Sequence, residues 1–186
     1  MEGVDGVGKT TLAKKLEEEL GYYYLYTMLE LFKSIRLRVE LLKYPEVRFY
    51  FYITCVIAFQ KELATLLNAG HKVFADRYIY SIIIMHKVMG VIVDCVDINL
   101  LPIITPNISI LLTCDPRERN RRIWKREIKK QKYTHLDEFV LNRAQLYFMS
   151  LKNVFYVIDT TKKTEESVFN SVKSILNEQQ QKVGVL

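Results

Sequence analysis

Gly3-Val4-Asp5-Gly6-Val7-Gly8-Lys9-Thr10 opens the chain and decides how the rest is read. It is the complete GxxxxGKT pattern. The glycines let the backbone wrap around phosphate oxygens with its N–H groups turned inward. Thr10 to Leu20 follows with Leu12, Leu16 and Leu20 on one face, which predicts a helix closed by Gly21. The positive N-terminus of that helix adds to an anion site. Lys9 supplies a mobile charge to the outer phosphates, and Thr10 offers a hydroxyl to magnesium. Gly3, Asp5, Gly6, Val7, Gly8, Lys9, Thr10 and Thr11 are therefore candidate contacts for ATP and Mg2+. A Gly-rich turn is the plain alternative; the full pattern with an amphipathic helix behind it argues against that. A triphosphate loop does not say what is phosphorylated, or whether hydrolysis drives motion instead.

Outward from the loop, strand and helix signals alternate. Tyr22 to Thr27 is rich in strand formers, and Met28 to Tyr44 reads as a helix ended by Pro45. A more apolar helix is predicted from Val47 to Asn68, then a buried strand ending at Asp76, then a helical or mixed stretch from Ile79 to Met89. Ile108 to Thr113 predicts a second buried strand, and Pro116 to Lys130 a basic helix. Leu136 to Leu151 predicts a helix with Phe139, Tyr147 and Leu151 on a shared side. Val154 to Asp159 reads as a last strand, and Thr164 to Gln179 as a closing helix capped by Thr164. The expected class is α/β, a P-loop NTPase three-layer sandwich in one domain, with a parallel sheet covered by helices on both faces.

Composition narrows the classes further. The 186 residues are 49% hydrophobic, which excludes a disordered or low-complexity chain. The net charge of +6 is local: residues 114–132 hold nine Lys/Arg against three acids, and the rest of the chain is balanced. A nucleic-acid binder spreads its charge over a face or tail, so this segment points instead to one anionic group, and nucleic acid is not an expected partner. No apolar run reaches the length of a membrane span, the first residues are no signal peptide, and Cys55, Cys95 and Cys114 form neither CxxC nor metal spacing. A soluble, cytoplasmic protein with free thiols and no membrane partner is expected.

Two further constellations carry chemistry. Asp76-Arg77-Tyr78 ends a predicted central strand, at the side of a parallel sheet that faces ligands. Asp76 there can hold magnesium through water, and Arg77 can bridge donor and acceptor phosphates; a helix cap and a surface ion pair are the bland readings. On the basic helix, Arg119, Arg122 and Arg126 are spaced three and four apart and share a face. Such charges suit phosphoryl transfer under a lid over residues 117–135, against the bland reading of a solvated basic face.

These motifs together resemble the thymidylate kinases, within the P-loop nucleoside monophosphate kinases. Glu2 through Thr11 is similar to the EGxDGxGKTT of that family, Asp76-Arg77-Tyr78 with Ser81 to its DRYxxS, and Pro106 to Ser109 to its PDLT, while Pro116 opens the counterpart of its PE helix. The resemblance implies transfer of the γ-phosphoryl group of ATP to the 5′-phosphate of dTMP with magnesium, by a homodimer built on a five-stranded parallel sheet. It implies that Asp5 holds the acceptor sugar, that Arg77 contacts the acceptor phosphate and that Lys9 serves the transferred phosphate. No arginine occurs at Val4, Gly6 or Val7, so a lid arginine is expected to be catalytic, Arg122 or Arg126, with Arg119 a third possibility near the nucleotide.

The acceptor side departs from the family. Counting back from Gly70, the ring-holding phenylalanine and arginine of the family correspond to Tyr52 and Val56; Tyr52 can stack on a base, whereas Val56 cannot hydrogen-bond. Met85-His86 replaces a tyrosine-glutamine pair, and His86 reads either as a base contact or as a satisfied helix histidine. Other nucleotides, a deoxynucleoside with Glu2 as its base, or a non-catalytic ATP-binding regulator stay open as alternatives. Finally, a phosphate loop hangs from a hydrophobic strand, and only Met1 and Glu2 precede Gly3. The expectation is a truncated first strand, or else a sheet one strand short, with the loop unanchored and stability and activity poor.

Overall fold

The structure, a computed structural model, describes residues 1–130 and 137–183, the side chains of 127–130 and 182–183 excepted. The last part of the expected lid, 131–135, lies outside the described residues, as do Leu136 and the tail from 184. Elements alternate as α1 (Lys9–Leu20), β1 (Tyr23–Tyr26), α2 (Glu30–Leu41), α3 (Pro45–Asn68), β2 (Val73–Asp76), α4 (Ile79–Val88), β3 (Ile110–Thr113), α5 (Pro116–Lys130), α6 (Glu138–Ser150), β4 (Tyr156–Asp159) and α7 (Glu165–Val183). The class is α/β with parallel strands. Among the described residues no helix is long and apolar enough to cross a membrane.

The strands form two parallel pairs, β1 with β2 and β3 with β4. Met1 and Glu2 join them. The Met1 amine donates to Ala75 O at 2.9 Å and Arg77 N donates back to Met1 O at 2.9 Å. On the other side Glu2 N donates to Ile110 O at 2.7 Å and Leu112 N to Glu2 O at 3.0 Å, a parallel bridge of Glu2 with Leu111. Both patterns are those of parallel pairing. The place expected for a first strand is thus held by two residues, and they carry the phosphate loop directly. This corrects the expectation of an unanchored loop.

Local chemistry explains the other elements. Gly21, at φ 65°, closes α1 and donates to the carbonyls of Leu16 and Glu17. Pro45, expected to end a helix, instead begins α3 at its first turn, where a missing N–H costs nothing. All four residues of β3 are buried, as for a strand covered on both faces. Thr164 Oγ accepts from Ser167 N at 3.1 Å and caps α7 as expected. In α6 the buried stripe is Leu141, Ala144 and Phe148, whereas Phe139 is 61% exposed. The face read from Phe139, Tyr147 and Leu151 is therefore wrong. Contact with α4 selects the other stripe.

Two apolar clusters hold the chain together. One gathers Leu12 and Leu16 of α1, Leu111 and Leu112 of β3, Phe148 of α6 and Phe169 of α7. The other centres on Phe49, Val56 and Phe59 of α3 with Ile79 of α4. Each large side chain so buried contributes about 1.5–3 kcal/mol. The three cysteines are free, with Cys55 and Cys114 buried.

Candidate active site

The phosphate loop emerges between the two strand pairs with Gly3, Gly6 and Gly8 at φ 137°, 82° and 102°. Two of these glycines are also sterically required. A Cβ on Gly3 would stand 2.5 Å from Leu112 O, and one on Gly6 would stand 2.8 Å from Ile123 Cγ1 and 2.9 Å from Arg119 Cγ. The loop is thus wedged between β3 and the basic helix α5. Gly8 precedes α1 without any side-chain cap, so the first N–H groups of that helix are left for an anion. Lys9 is 6% exposed and donates from Nζ to Val4 O at 2.8 Å. Burial, with Arg77 nearby, pushes its ammonium down to about 7. A cavity of about 680 Å³ opens here, lined by Gly6 to Thr11 and Asp76 among others.

Asp76 ends β2 and is 6% exposed. Tyr24 of β1 donates to its Oδ2 at 3.4 Å, while its Oδ1 is buried with no partner among the described residues. Burial and Asp76 push the Tyr24 phenol up to about 12, so it stays a donor. Arg77 follows at φ 68°, a left-handed backbone that costs a non-glycine residue about 1–3 kcal/mol. That backbone is held by the hydrogen bond to Met1, and the side chain pairs through Nη2 with Asp5 Oδ1. Burial would raise the Asp5 carboxyl, but Arg77, Lys9 and Arg126 hold it below its ordinary value.

A second cavity of about 1000 Å³ lies beside the first, walled by α3, α4 and α5 residues that include Tyr52, Val56, His86 and Trp124. Asp5, Tyr26, Arg77, Ile123 and Arg126 line both cavities, so the two meet at the Asp5–Arg77 pair. Tyr52 OH donates to Glu40 Oε1 at 2.8 Å, and Arg36 Nε donates to the same oxygen at 2.7 Å. His86 is 3% exposed, its Nδ1 lies 2.7 Å from Ile82 O, and its ring sits against Phe49 and Tyr52.

The three helix arginines separate. Arg122 donates to Thr160 Oγ at 3.0 Å, to Thr160 O at 2.8 Å and to Glu118 at 2.8 Å, and it lines the smaller cavity. Arg126 is exposed at the junction and makes no hydrogen bond or ion pair among the described residues. Arg119 is 0% exposed, bonded to Asn120 and Asn142, and lines neither cavity, so its expected contact with the nucleotide is not what the fold provides. Lys129 and Lys130 lie among the undescribed side chains and Lys132 outside the described residues.

Glu2 is 3% exposed, accepts from Tyr78 N at 3.1 Å and from Ser81 Oγ, and lines neither cavity. A role as catalytic base has no support in this position. The sequence reading missed Tyr24, Arg48, Trp124 and Thr160. Only Tyr24 carried a signal, since in the paired parallel strands it stands opposite Phe74, two residues from Asp76 and on the same face.

A family model described as thymidylate kinase matches residues 1–172. Similar proteins include a probable thymidylate kinase of Methanococcus vannielii, 30% identical over 189 residues, covering 92% of this chain and 90% of that protein. A probable thymidylate kinase of Methanococcus maripaludis is 33% identical at the same coverage. Among solved structures, a thymidylate kinase from Candida albicans superposes with a TM-score of 0.75 over 96% of this chain and 90% of that one, at 18% identity.

Proposed function

The chain belongs to the thymidylate kinase family, and from that premise we propose that it transfers the γ-phosphoryl group of ATP to the 5′-phosphate of dTMP, giving dTDP and ADP. The observation that carries this reading is the meeting of two cavities at Asp5, Arg77 and Arg126. A donor and an acceptor phosphate placed in them converge on one cationic junction, which is what phosphoryl transfer requires.

ATP occupies the smaller cavity, its phosphates cradled by Gly6, Val7, Gly8, Thr10 and Thr11. Lys9 exchanges the Val4 carbonyl for phosphate oxygens, and the anion restores its charge. dTMP occupies the larger cavity, with Tyr52 beside the base and Asp5 at the sugar. Arg77 turns from Asp5 to the acceptor phosphate. An oxygen of that phosphate attacks the γ-phosphorus as its bond to the β-phosphate oxygen breaks, and ADP leaves. Arg126, exposed at the junction of the two cavities, stabilises the charge in transfer; Arg122 shapes the donor cavity through Thr160. Arg119 supports the loop from beneath.

Asp76 and Thr10 suit a magnesium ion, which typically takes one or two protein oxygens and keeps phosphate and water as its other ligands. The unpartnered, buried Oδ1 of Asp76 fits that need. Among the described residues no cluster of three or more His, Cys, Asp or Glu side chains could hold a metal by itself. The ion would supply charge neutralisation on the triphosphate.

The same reading makes the architecture a three-layer P-loop sandwich working in the cytoplasm on small nucleotides, with neither nucleic acid nor membrane as partner. It also makes the assembly a homodimer; in support, α2 buries no residue and leaves Leu31, Ile35, Leu37 and Leu41 exposed. The test is ADP release from ATP–Mg2+ with dTMP, dUMP, dCMP, AMP and thymidine in turn. Turnover with dTMP above the others is expected. Turnover with thymidine and not dTMP would refute the assignment.

A further inference from the structure

Among the described residues, two of the buried side-chain atoms that lack any hydrogen-bond partner belong to residues lining the acceptor cavity: Nε2 of His86 and Nε of Arg48. A fold rarely leaves buried polar atoms unpaired, and where it does at a cavity a ligand is the natural partner. Two neighbouring donors are committed to one carboxylate oxygen. Tyr52 OH and Arg36 Nε both donate to Glu40 Oε1. Val56, the position expected to hold the ring of the acceptor, has no group to offer and is 1% exposed.

The chemistry of the pair is complementary. His86 Nδ1 stands 2.7 Å from Ile82 O, and a carbonyl only accepts, so Nδ1 carries the ring proton. Burial, with the charge of Arg48 adding to it, lowers the pKa of His86 and keeps the ring neutral. Nε2 is then an acceptor. Arg48 is a donor at every nitrogen. The rings of Phe49 and Tyr52, with centroids 5.4 and 5.8 Å from that of His86, fix the plane in which Nε2 is presented.

We infer that His86 and Arg48 read the edge of the acceptor base, Nε2 of His86 accepting the N3–H of thymine and Arg48 donating to the adjacent O4. This rests on dTMP as the acceptor and adds the residues that select it. They lie on α4 and α3, and neither is at the position expected for the ring-holding arginine. The pair matches an imide edge, one donor beside one carbonyl, and it has nothing to pair with a base methylated at N3.

The experiment compares dTMP with its N3-methyl analogue as acceptors for the full chain with ATP–Mg2+, in the wild type and in His86→Phe, His86→Gln and Arg48→Met. Wild type should prefer dTMP by about 100-fold or more, because a site built to pair an N–H rejects a ligand lacking it. In His86→Phe, which keeps an aromatic ring against Phe49 and Tyr52, KM for dTMP should rise about tenfold or more with KM for ATP unchanged. The preference over the N3-methyl analogue should shrink to a few-fold. His86→Gln, whose amide oxygen can accept, should recover part of it. Arg48→Met should raise KM for dTMP in the same way. Wild-type enzyme that takes both acceptors equally, or His86→Phe with unchanged KM and preference, would overturn the inference. Binding of dTMP is followed separately by the fluorescence of Trp124, the single tryptophan, which lines the same cavity. His86-dependent binding without turnover would contradict the kinase reading alone. Turnover indifferent to His86 would contradict this inference alone, and a wild type that neither binds nor phosphorylates dTMP would contradict both.

Discussion

Lys9 donates its ammonium to the carbonyl of Val4, 2.8 Å away in its own loop. Burial holds its pKa near 7, far below the ordinary lysine value of 10.5. A triphosphate in the loop would replace that carbonyl with oxyanions and restore the charge. Binding of ATP–Mg2+ at pH 8 should therefore take up as much as one proton, read by calorimetry in buffers of different ionisation enthalpy. Lys9→Met should bind without that uptake and should not transfer phosphate. The stability of the free protein follows the same sign. A lysine with a lowered folded pKa is destabilising while charged in both states, below about 7, and the penalty fades as pH rises toward 10.5. Wild type should accordingly gain melting temperature relative to Lys9→Met between those limits.

The bonds from Arg122 to Thr160 Oγ and O separate it from Arg126, which stands where the cavities meet with no partner among the described residues. Arg122→Ala should raise KM for ATP and lower melting temperature, since buried partners of a charged donor are left unpaired. Arg126→Ala should lower kcat by about 100-fold or more while leaving both KM values within a few-fold. Steady-state kinetics on the two variants checks this division. The reverse pattern would exchange their roles.

Gly6 touches α5 so closely that a methyl group there would meet Ile123 and Arg119 within 3 Å. Gly6→Ala adds left-handed backbone strain to that overlap, for a cost of about 2–4 kcal/mol. Chemical denaturation should show the loss, and turnover should fall with it because the loop and the basic helix would be pushed apart.

Glu2 tests the alternative of a nucleoside acceptor. Its carboxylate is fixed by Tyr78 N and Ser81 Oγ and reaches neither cavity. Glu2→Gln keeps an oxygen for Tyr78 N and should retain most of the turnover with dTMP, whereas Glu2→Ala should lose about 1–3 kcal/mol of stability by unpairing both donors. A collapse of turnover in a stable Glu2→Gln protein would return Glu2 to the list of candidate bases.

The parts of this arrangement that were legible in the sequence are those written in contiguous residues. The loop, α1 with its Gly21 stop, and Asp76-Arg77 at the end of a strand each show their pattern within a few positions. What the sequence did not show depends on convergence. Spacing put Arg119, Arg122 and Arg126 on one face, but packing against Gly6 buries the first, Thr160 captures the second, and the third has no partner among the described residues. The buried stripe of α6 was misread because apolar residues occur on both of its sides and contact with α4 decides between them. Met1 and Glu2 are too short a run to show any strand period, yet four backbone hydrogen bonds make them the seam between the strand pairs. Arg48 gave no signal because its role requires α3 and α4 to be side by side.

The central claim is that this chain makes dTDP, and direct product analysis tests it most closely. Wild-type protein incubated with ATP–Mg2+ and dTMP should form dTDP and ADP in equal amounts, resolved by anion-exchange chromatography, and Lys9→Ala should form neither. ADP released without dTDP, or dTMP formed from thymidine while supplied dTMP is left unphosphorylated, would contradict the account.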